Sequence, residues 1–368
     1  MKITGAEAVL LSLIEEGVDT IFGYPGGAIM PIYDALYDKK EELNHILVRH
    51  EQGAVHAAEG YARIKGQVGV CVVTSGPGAT NIVTGLADAM SDSIPLVCIS
   101  GQVVSPLLGS DAFQETDVIG ITMPVTKWNY QITEAKEIAE VMAKAFYVAR
   151  TGRPGPVMID IAKDAQFATV DFNYTKCTKL RSYLPFPKVQ KKDIDAAVAL
   201  INKATKPLIL AGHGVLISHA ESELLRYAEK TSTPVALTLL GLSAFPSSHP
   251  LYVGMLGMHG NIGPNVNTNK CDLIIAIGMR FDDRITSDLR TYAKQASIIH
   301  IEIDPSEVNK NVEVNVKIVA DASEALRALL PKVKQANNSA WLESFREHDK
   351  VEYDRVISKK LNSDSPEI

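Results

Sequence analysis

Cysteine is scarce in this chain, and what there is does not pair: Cys71, Cys98, Cys177 and Cys271 are spread over 368 residues with no C-x-x-C spacing. That excludes a zinc ribbon or a disulfide-stapled scaffold. Two of the four sit inside apolar runs, so they read as reduced, mostly buried thiols of a reducing compartment. Long apolar stretches are missing too. No run approaches the ~20 residues of a membrane span, and Glu15, Glu16 and Asp19 interrupt the amino-terminal helix pattern as no signal peptide would allow. Positive charge is short: 37 Lys and Arg against 43 Asp and Glu give a formal net charge of −6, no footprint for nucleic acid or an anionic membrane. A cytoplasmic protein is expected, with no nucleic-acid or membrane partner, in which anionic ligands need local sites.

What is plentiful is apolar matter in short runs. Hydrophobic residues make up 46% and charged residues 22%, enough for buried sheets and contrary to disorder. At 368 residues the chain exceeds one ordinary core, so two domains are expected. Residues 68–73, 95–100 and 156–161 are near-continuously apolar, as parallel strands covered on both faces are, with helix patterns at 79–89 and 134–149 between them. Residues 1–168 therefore read as one doubly wound domain. The rhythm lapses over 169–192, where Tyr183-Leu184-Pro185-Phe186-Pro187 reads as extended chain and an interdomain linker is expected. It resumes over 193–335 with runs at 207–211, 234–238, 272–277 and 298–303. Residues 336–368 read as a charged helix over 340–360 and, with polar 362–366, as the start of a further linker. The expected fold class is α/β, two doubly wound parallel-sheet domains in succession.

Chemistry-bearing residues gather where these runs end. A helix pattern follows residues 46–48, with Val55, Ala58 and Ala62 at helical spacing until Gly66. Glu51 stands at its start, before an alanine face that lets another helix close in; it is either a dry functional carboxyl or a helix cap. Tyr24-Pro25-Gly26-Gly27-Ala28 permits a bend with close ligand approach, or an ordinary turn. Thr74-Ser75-Gly76-Pro77-Gly78-Ala79-Thr80-Asn81 opens a helix after a buried strand, which suits an anion cradle and equally a bare tight turn. Ala112-Phe113-Gln114-Glu115 offers an aromatic ring and an amide, or is surface loop.

In the second half, Gly212-His213-Gly214 carries only the first two glycines of a dinucleotide fingerprint. It is joined by Met258-His259-Gly260, by Arg280-Phe281-Asp282-Asp283-Arg284 and by Asp304, four loops after strands, where an open α/β sheet binds a nucleotide. Arg280 and Arg284 suit phosphates and Asp304 a ribose hydroxyl; a surface salt-bridge cluster is the competing account.

In this order around Glu51, these segments closely resemble the thiamine-diphosphate enzymes of the acetohydroxyacid synthase (acetolactate synthase) family, over essentially the whole chain. The resemblance implies a thiamine pyrimidine-binding domain followed by a central FAD-binding domain. It assigns Glu51 to the cofactor's aminopyrimidine, with Gln114 and Gly27 beside the reacting centre. Tyr24, Pro25, Gly26, Pro77 and Asn81 become thiamine contacts, and the loop of Pro77 lies against the thiamine ring rather than a phosphate. Ala28, Phe113 and Lys163 border the substrate channel. Flavin contacts are implied for Arg153, Gly212, Gly214, Met258, His259 and Gly260, and for Arg280, Asp282, Arg284, Asp304 and Asp321, the flavin being structural. Two departures stand out, Met123 where arginine is common and Trp128 where histidine is common.

The resemblance also implies a reaction: pyruvate is decarboxylated and joined to a second pyruvate or to 2-ketobutyrate, giving 2-acetolactate or 2-aceto-2-hydroxybutyrate for valine and isoleucine biosynthesis. Homodimers or homotetramers, and a small regulatory subunit, come with it. No metal ligand is assigned here. The Gly-Asp-Gly motif followed by Asn-Asn that holds diphosphate and Mg2+ in this family does not occur in these residues, so the chain reads as the first two domains of a longer enzyme, inactive alone. Two alternatives remain, another thiamine-dependent 2-ketoacid decarboxylase or oxidase, and a non-catalytic flavin-binding module.

Overall fold

Apolar runs that alternate β-branched and small residues form strands with both faces covered, and a computed structural model shows them as two parallel sheets. It describes residues 1–361. Two units divide between Pro185 and Phe186.

The first unit holds β1 (Lys2–Thr4), β2 (Thr20–Gly23), β3 (Asn44–Leu47), β4 (Gly69–Val73), β5 (Leu96–Gln102), β6 (Trp128–Ile132), β7 (Pro156–Ala162) and β8 (Thr169–Asp171). Six of them form a parallel sheet in the order β3-β2-β4-β5-β7-β6. Alternation along a strand sends Val70 and Val72 to one face, with the helices Gly5–Glu15, Met30–Tyr37 and Ile138–Arg150. Cys71 and Val73 face the other way, toward the helices Glu51–Lys65 and Val83–Asp92. Thr4 and Glu7 close a reciprocal cap on the first helix, Glu7 N–H donating to Thr4 Oγ1 at 3.2 Å and Thr4 N–H to Glu7 Oε2 at 2.7 Å.

The second unit holds β9 (Pro207–Ala211), β10 (Val235–Leu237), β11 (Tyr252–Met255), β12 (Leu273–Ile277), β13 (Ser297–Glu302) and β14 (Val316–Val319), all parallel, in the order β11-β10-β9-β12-β13-β14. Numbered within the unit this is 3-2-1-4-5-6, the dinucleotide-binding order, whose switch point lies between β9 and β12.

Several elements differ from the expectations. The helix expected over 79–89 is two, Pro77–Asn81 and Val83–Asp92, because the chain turns at Ile82 (φ −88°, ψ −6°). β3 begins two residues earlier than the apolar stretch and sits at the sheet edge, leaving Ile46 and Leu47 exposed. The helix over 340–360 is an α-helix only at Ser339–Glu352 and widens into π turns over Tyr353–Leu361. Its Trp341 and Phe345 pack under the second sheet, with Trp341 Nε1 donating to the Pro207 carbonyl at 2.9 Å. The stretch 169–192 is not uniform: β8 pairs antiparallel with β1, and the Tyr183 hydroxyl donates to the Thr151 carbonyl at 2.8 Å, so residues up to 185 group with the first unit. Residues 362–366, read as a linker, lie outside the described residues.

Candidate functional site

The strand order of the first sheet reverses between β2 and β4, and there an open α/β sheet leaves a crevice at its carboxyl edge. The loop after β2 carries Tyr24 to Ala28, and the loop after β4 carries Thr74 to Asn81. They are fastened by Thr74, whose Oγ1 accepts from Ala28 N–H at 3.3 Å. Glycine is required for this approach: a Cβ on Gly26 would stand 2.5 Å from Thr74 Cβ, and one on Gly78 2.8 Å from Thr74 Cγ2. A Cβ on Gly27 meets nothing within 4 Å, so this residue borders open space.

Glu51 begins the helix that comes after β3. His50 is the cap, Nδ1 accepting from Gln52 N–H at 3.1 Å, and Gly66 ends the helix in the left-handed region at φ 66°. Capping is thus done by His50, and Glu51 is available for another role. Its side chain is buried, the residue being 9% exposed, and Asn81 Nδ2 donates to Oε2 at 2.9 Å. The other oxygen, Oε1, lies 3.4 Å from where a Cβ on Gly78 would be. Ala54, Val55, Ala58 and Ala62 back this helix, and Gly85 of the next helix comes so near that a Cβ there would meet Val55 Cγ1 at 2.3 Å. The close approach read from the alanine face is present. Tyr33 borders the same region, its hydroxyl donating to the Val72 carbonyl at 3.0 Å; burial raises its phenol well above the ordinary range, and the Cys71 and Glu51 charges add to that.

The turn at Gly76 is no anion cradle. Pro77 has no N–H, and Gly78 N–H donates to the Ser75 carbonyl at 3.1 Å. Gly76 itself has φ 53°, and a Cβ there would meet the Gln114 carbonyl oxygen at 2.5 Å. The loop after β5 therefore comes back to the switch point through Gln114, which takes a left-handed φ of 58°. Phe113 beside it is 88% exposed. Lys163, half-buried, starts the short helix Lys163–Phe167 after β7. The structure thus gathers Tyr24, Pro25, Gly26, Gly27, Ala28, Glu51, Pro77, Asn81, Phe113, Gln114 and Lys163 on loops and helix starts at one edge of one sheet. Reading the sequence missed Thr74 as the fastener and Gln166, whose Nε2 donates to the Ala28 and Ile161 carbonyls at 2.8 and 3.0 Å.

Arg153 belongs to this unit as well, its Nε donating to Ser93 Oγ at 2.8 Å. Met123 is exposed in a tight turn, and Trp128 on β6 lies against Tyr130 with ring centres 5.6 Å apart. Among the described residues one trio, His56, Glu59 and Asp88, brings potential ligand atoms within 4.8 Å of one another. Arg63 Nη2 already lies 2.7 Å from Glu59 Oε1, so that carboxylate has its counter-charge.

In the second unit the loops after β9 and β12 meet at the switch point. Gly214 N–H donates to the Gly278 carbonyl at 2.9 Å, and a Cβ on Gly212 or Gly214 would collide with residues 278–279. Arg280 and Arg284 stay partly exposed and only loosely paired, 3.6 Å from Asp282 and 3.9 Å from Asp283. Arg284 also reaches back to Met258, its carbonyl accepting from Met258 N–H at 2.8 Å, with His259 and Gly260 next in the same loop. Asp282 caps the turn Asp283–Thr286 through Arg284 and Ile285 N–H. Asp304 accepts from Ser306, and Asp321 caps the helix Ala322–Leu329, so both carboxylates also hold local backbone.

Among the described residues no helix is long and apolar enough to cross a membrane. Comparison with known proteins brings two family models onto the two units. Residues 3–121 match the thiamine pyrophosphate enzyme N-terminal TPP binding domain, and residues 194–329 match the thiamine pyrophosphate enzyme central domain. The acetolactate synthase large subunit of Corynebacterium glutamicum is 51% identical over 333 residues, 90% of this chain and 53% of that protein. The probable acetolactate synthase large subunit of Methanocaldococcus jannaschii is 50% identical over 94% of this chain and 59% of its own length. Acetolactate synthase isozyme 2 large subunit of Escherichia coli K12 is 48% identical over 91% of this chain and 60% of its own length. The chain spans somewhat over half the length of these curated relatives. Its two parallel sheets, its carboxyl-bearing switch point and these matches together show that the chain belongs to the thiamine pyrophosphate enzymes, of which it carries the N-terminal and central domains.

Proposed function

We propose that the chain forms the pyrimidine-handling and central domains of an acetolactate synthase large subunit, which condenses pyruvate with a second pyruvate or with 2-ketobutyrate. The observation that carries this reading is Glu51: a carboxylate sunk at a helix start, held on one oxygen by Asn81, its other oxygen toward Gly78 at the switch point. Gly27, where a Cβ would meet nothing within 4 Å, leaves room for a ring at this switch point. Thiamine diphosphate, when bound, supplies the carbon nucleophile that adds to a ketoacid carbonyl and the electron sink that lets carbon dioxide leave. Glu51 would hydrogen-bond the aminopyrimidine ring nitrogen and hold or release a proton there, which needs a carboxyl shielded from water. Asn81 keeps that carboxylate from turning toward solvent. Gln114 and Phe113 cover the approach from the β5 loop, and Lys163 brings a positive charge for the ketoacid carboxylate.

The second sheet would hold FAD as a structural group, with Arg280 and Arg284 for its phosphates and Asp304 for a ribose hydroxyl; the strand order supports a dinucleotide there. Mg2+ and the diphosphate would be held outside these residues. Because the relatives are named large subunits, a small regulatory subunit is part of the proposal, as are assembly into a homodimer or homotetramer and a cytoplasmic location.

The test is Glu51→Gln in the full-length protein. Acetolactate formation from pyruvate should fall at least ~10²-fold, the lower end of what a positioned proton-transfer group supplies, while bound flavin stays constant. Turnover equal to the parent protein refutes the assignment. A parent protein that yields aldehyde or acetyl phosphate instead points to a sister activity.

A further inference from the structure

A lone carboxylate interrupts a strand of the first unit that is buried along its whole length. Asp160 of β7 is fully buried and lies in register between Ser100 of β5 and Gln131 of β6, so three side chains form one polar row across three strands. Ser100 Oγ donates to Oδ1 at 2.5 Å, Gln131 Nε2 donates to Oδ2 at 2.9 Å, and Gln102 Nε2 donates to the same Oδ2 at 3.1 Å. Gln102 does two more things. Its Nε2 also donates to the Thr116 carbonyl at 3.0 Å, and its Oε1 accepts from Val103 N–H at 2.9 Å. Both N–H groups and the oxygen of that buried amide are thereby engaged in one orientation: turned over, its oxygen would face a carboxylate and a carbonyl.

The consequence lies in residues 103–117, the loop whose two ends Gln102 joins. Val103 is its first residue, Thr116 nearly its last, and between them are Phe113 and Gln114, with Gln114 packed on Gly76 at the thiamine switch point. Glu115 ties the interior of the loop, accepting from the backbone N–H groups of Gly109, Ser110 and Ala112. Ser105, also near the base, is held by Asp164 Oδ1 at 3.0 Å. A loop pinned at its base and stiffened within moves as one piece, so the orientation of the Gln102 amide sets where Gln114 stands.

We propose that Gln102 is a positioning residue of the active site, its amide fixing the loop that holds Gln114 over the Glu51 pocket. The statement that this loop matters for turnover rests on the functional reading above; the statement that Gln102 holds the loop does not.

Three substitutions separate the two. Gln102→Leu keeps the size of the side chain and removes the bridge. Gln131→Leu removes a donor to the same carboxylate oxygen but touches nothing in the loop. Asp160→Asn preserves the row, its carbonyl accepting from both glutamines and its amide donating to Ser100 Oγ. Amide hydrogen exchange across 103–117 and steady-state kinetics with pyruvate are measured on the full-length protein. Gln102→Leu should speed exchange in that loop at least tenfold and raise KM for pyruvate about tenfold with a smaller change in kcat, as a displaced substrate-facing group does. Gln131→Leu and Asp160→Asn should leave both near the parent values. The proposal is overturned if loop exchange is unchanged in Gln102→Leu, if exchange rises evenly over the whole unit, or if Gln131→Leu loosens the loop as much. A loop that loosens as stated in a protein with no ketoacid turnover supports the positioning role and removes the functional reading instead.

Discussion

The two parallel sheets of this chain solve the same geometric problem with opposite chemistry. At the first switch point, between β2 and β4, the loops are joined by side chains, Thr74 to Ala28 and Asn81 to Glu51, and the one acidic group is buried. At the second, between β9 and β12, the loops are joined backbone to backbone, Gly214 to Gly278, and the charged groups are arginines and aspartates, loosely paired and partly exposed. A pocket that handles a proton needs a shielded, rigid carboxylate, because water would compete for its hydrogen bond. A site that holds phosphates needs reachable cations on a frame stiff enough to keep them apart. In the functions proposed above, two doubly wound sheets of different strand order serve these two ends through the loops at their strand ends.

The sharpest way to break this comparison is at the two glycine turns. Gly76→Val in the first unit combines a left-handed backbone with a Cβ 2.5 Å from the Gln114 carbonyl oxygen and should cost about 2–4 kcal/mol by urea unfolding. Gly214→Ala in the second unit has the close contact alone, 2.6 Å from Gly278 Cα, without the unusual φ; about 1–3 kcal/mol is expected, so the first unit should prove the less tolerant.

An effect of intermediate size separates the units by pH. Burial pushes the Asp160 carboxyl up to about 6, against the hydrogen bonds from Ser100, Gln131 and Gln102, with the nearby Asp117 charge adding to the rise. The folded state holds this proton more tightly than the unfolded chain, whose value is near 3.8. Stability from this group is therefore fully present below that value and is lost as pH rises from about 4 through about 6. Two pKa units correspond to roughly 3 kcal/mol at most. Asp160→Asn should flatten that part of the stability profile of the first unit between pH 4.5 and 7; an unchanged slope would show that other groups set it.

The smallest effect on stability is expected from Arg280→Ala with Arg284→Ala. Both side chains pair weakly at the surface, so unfolding should shift by no more than ~0.5 kcal/mol. Flavin retained after desalting should nevertheless fall at least tenfold, and full retention would remove these residues from the cofactor site.

Much of this was legible in the sequence. Doubly covered strands show as apolar runs because the pattern is local, and the start of the Glu51 helix and its Gly66 stop obey capping rules that act within a few residues. Glycines at strand ends could be found but not interpreted: whether Gly76 frees N–H groups or brings Gln114 near depends on a loop 38 residues away. The break at Ile82 leaves no local signal, because nothing in residues 79–89 forbids a continuous helix. The polar row of Ser100, Gln102, Gln131 and Asp160 is assembled by strand register across some sixty residues. It did leave one trace, a single aspartate between Ile159 and Ile161 in a strand otherwise wholly apolar. A charge in such a place is retained only with partners, so it merits a search for them.

The pairing of β1 with β8 has a consequence for the growing polypeptide. Lys2 lies opposite Asp171, Thr4 opposite Thr169, and Phe172 N–H donates to the Met1 carbonyl at 2.9 Å. Residues 2–4 thus wait for a partner made about 170 residues later, at ~5–20 residues per second a delay of roughly ten to thirty seconds. Until then Ile3 has no neighbouring strand, and the nascent domain carries an open edge that a chaperone could hold.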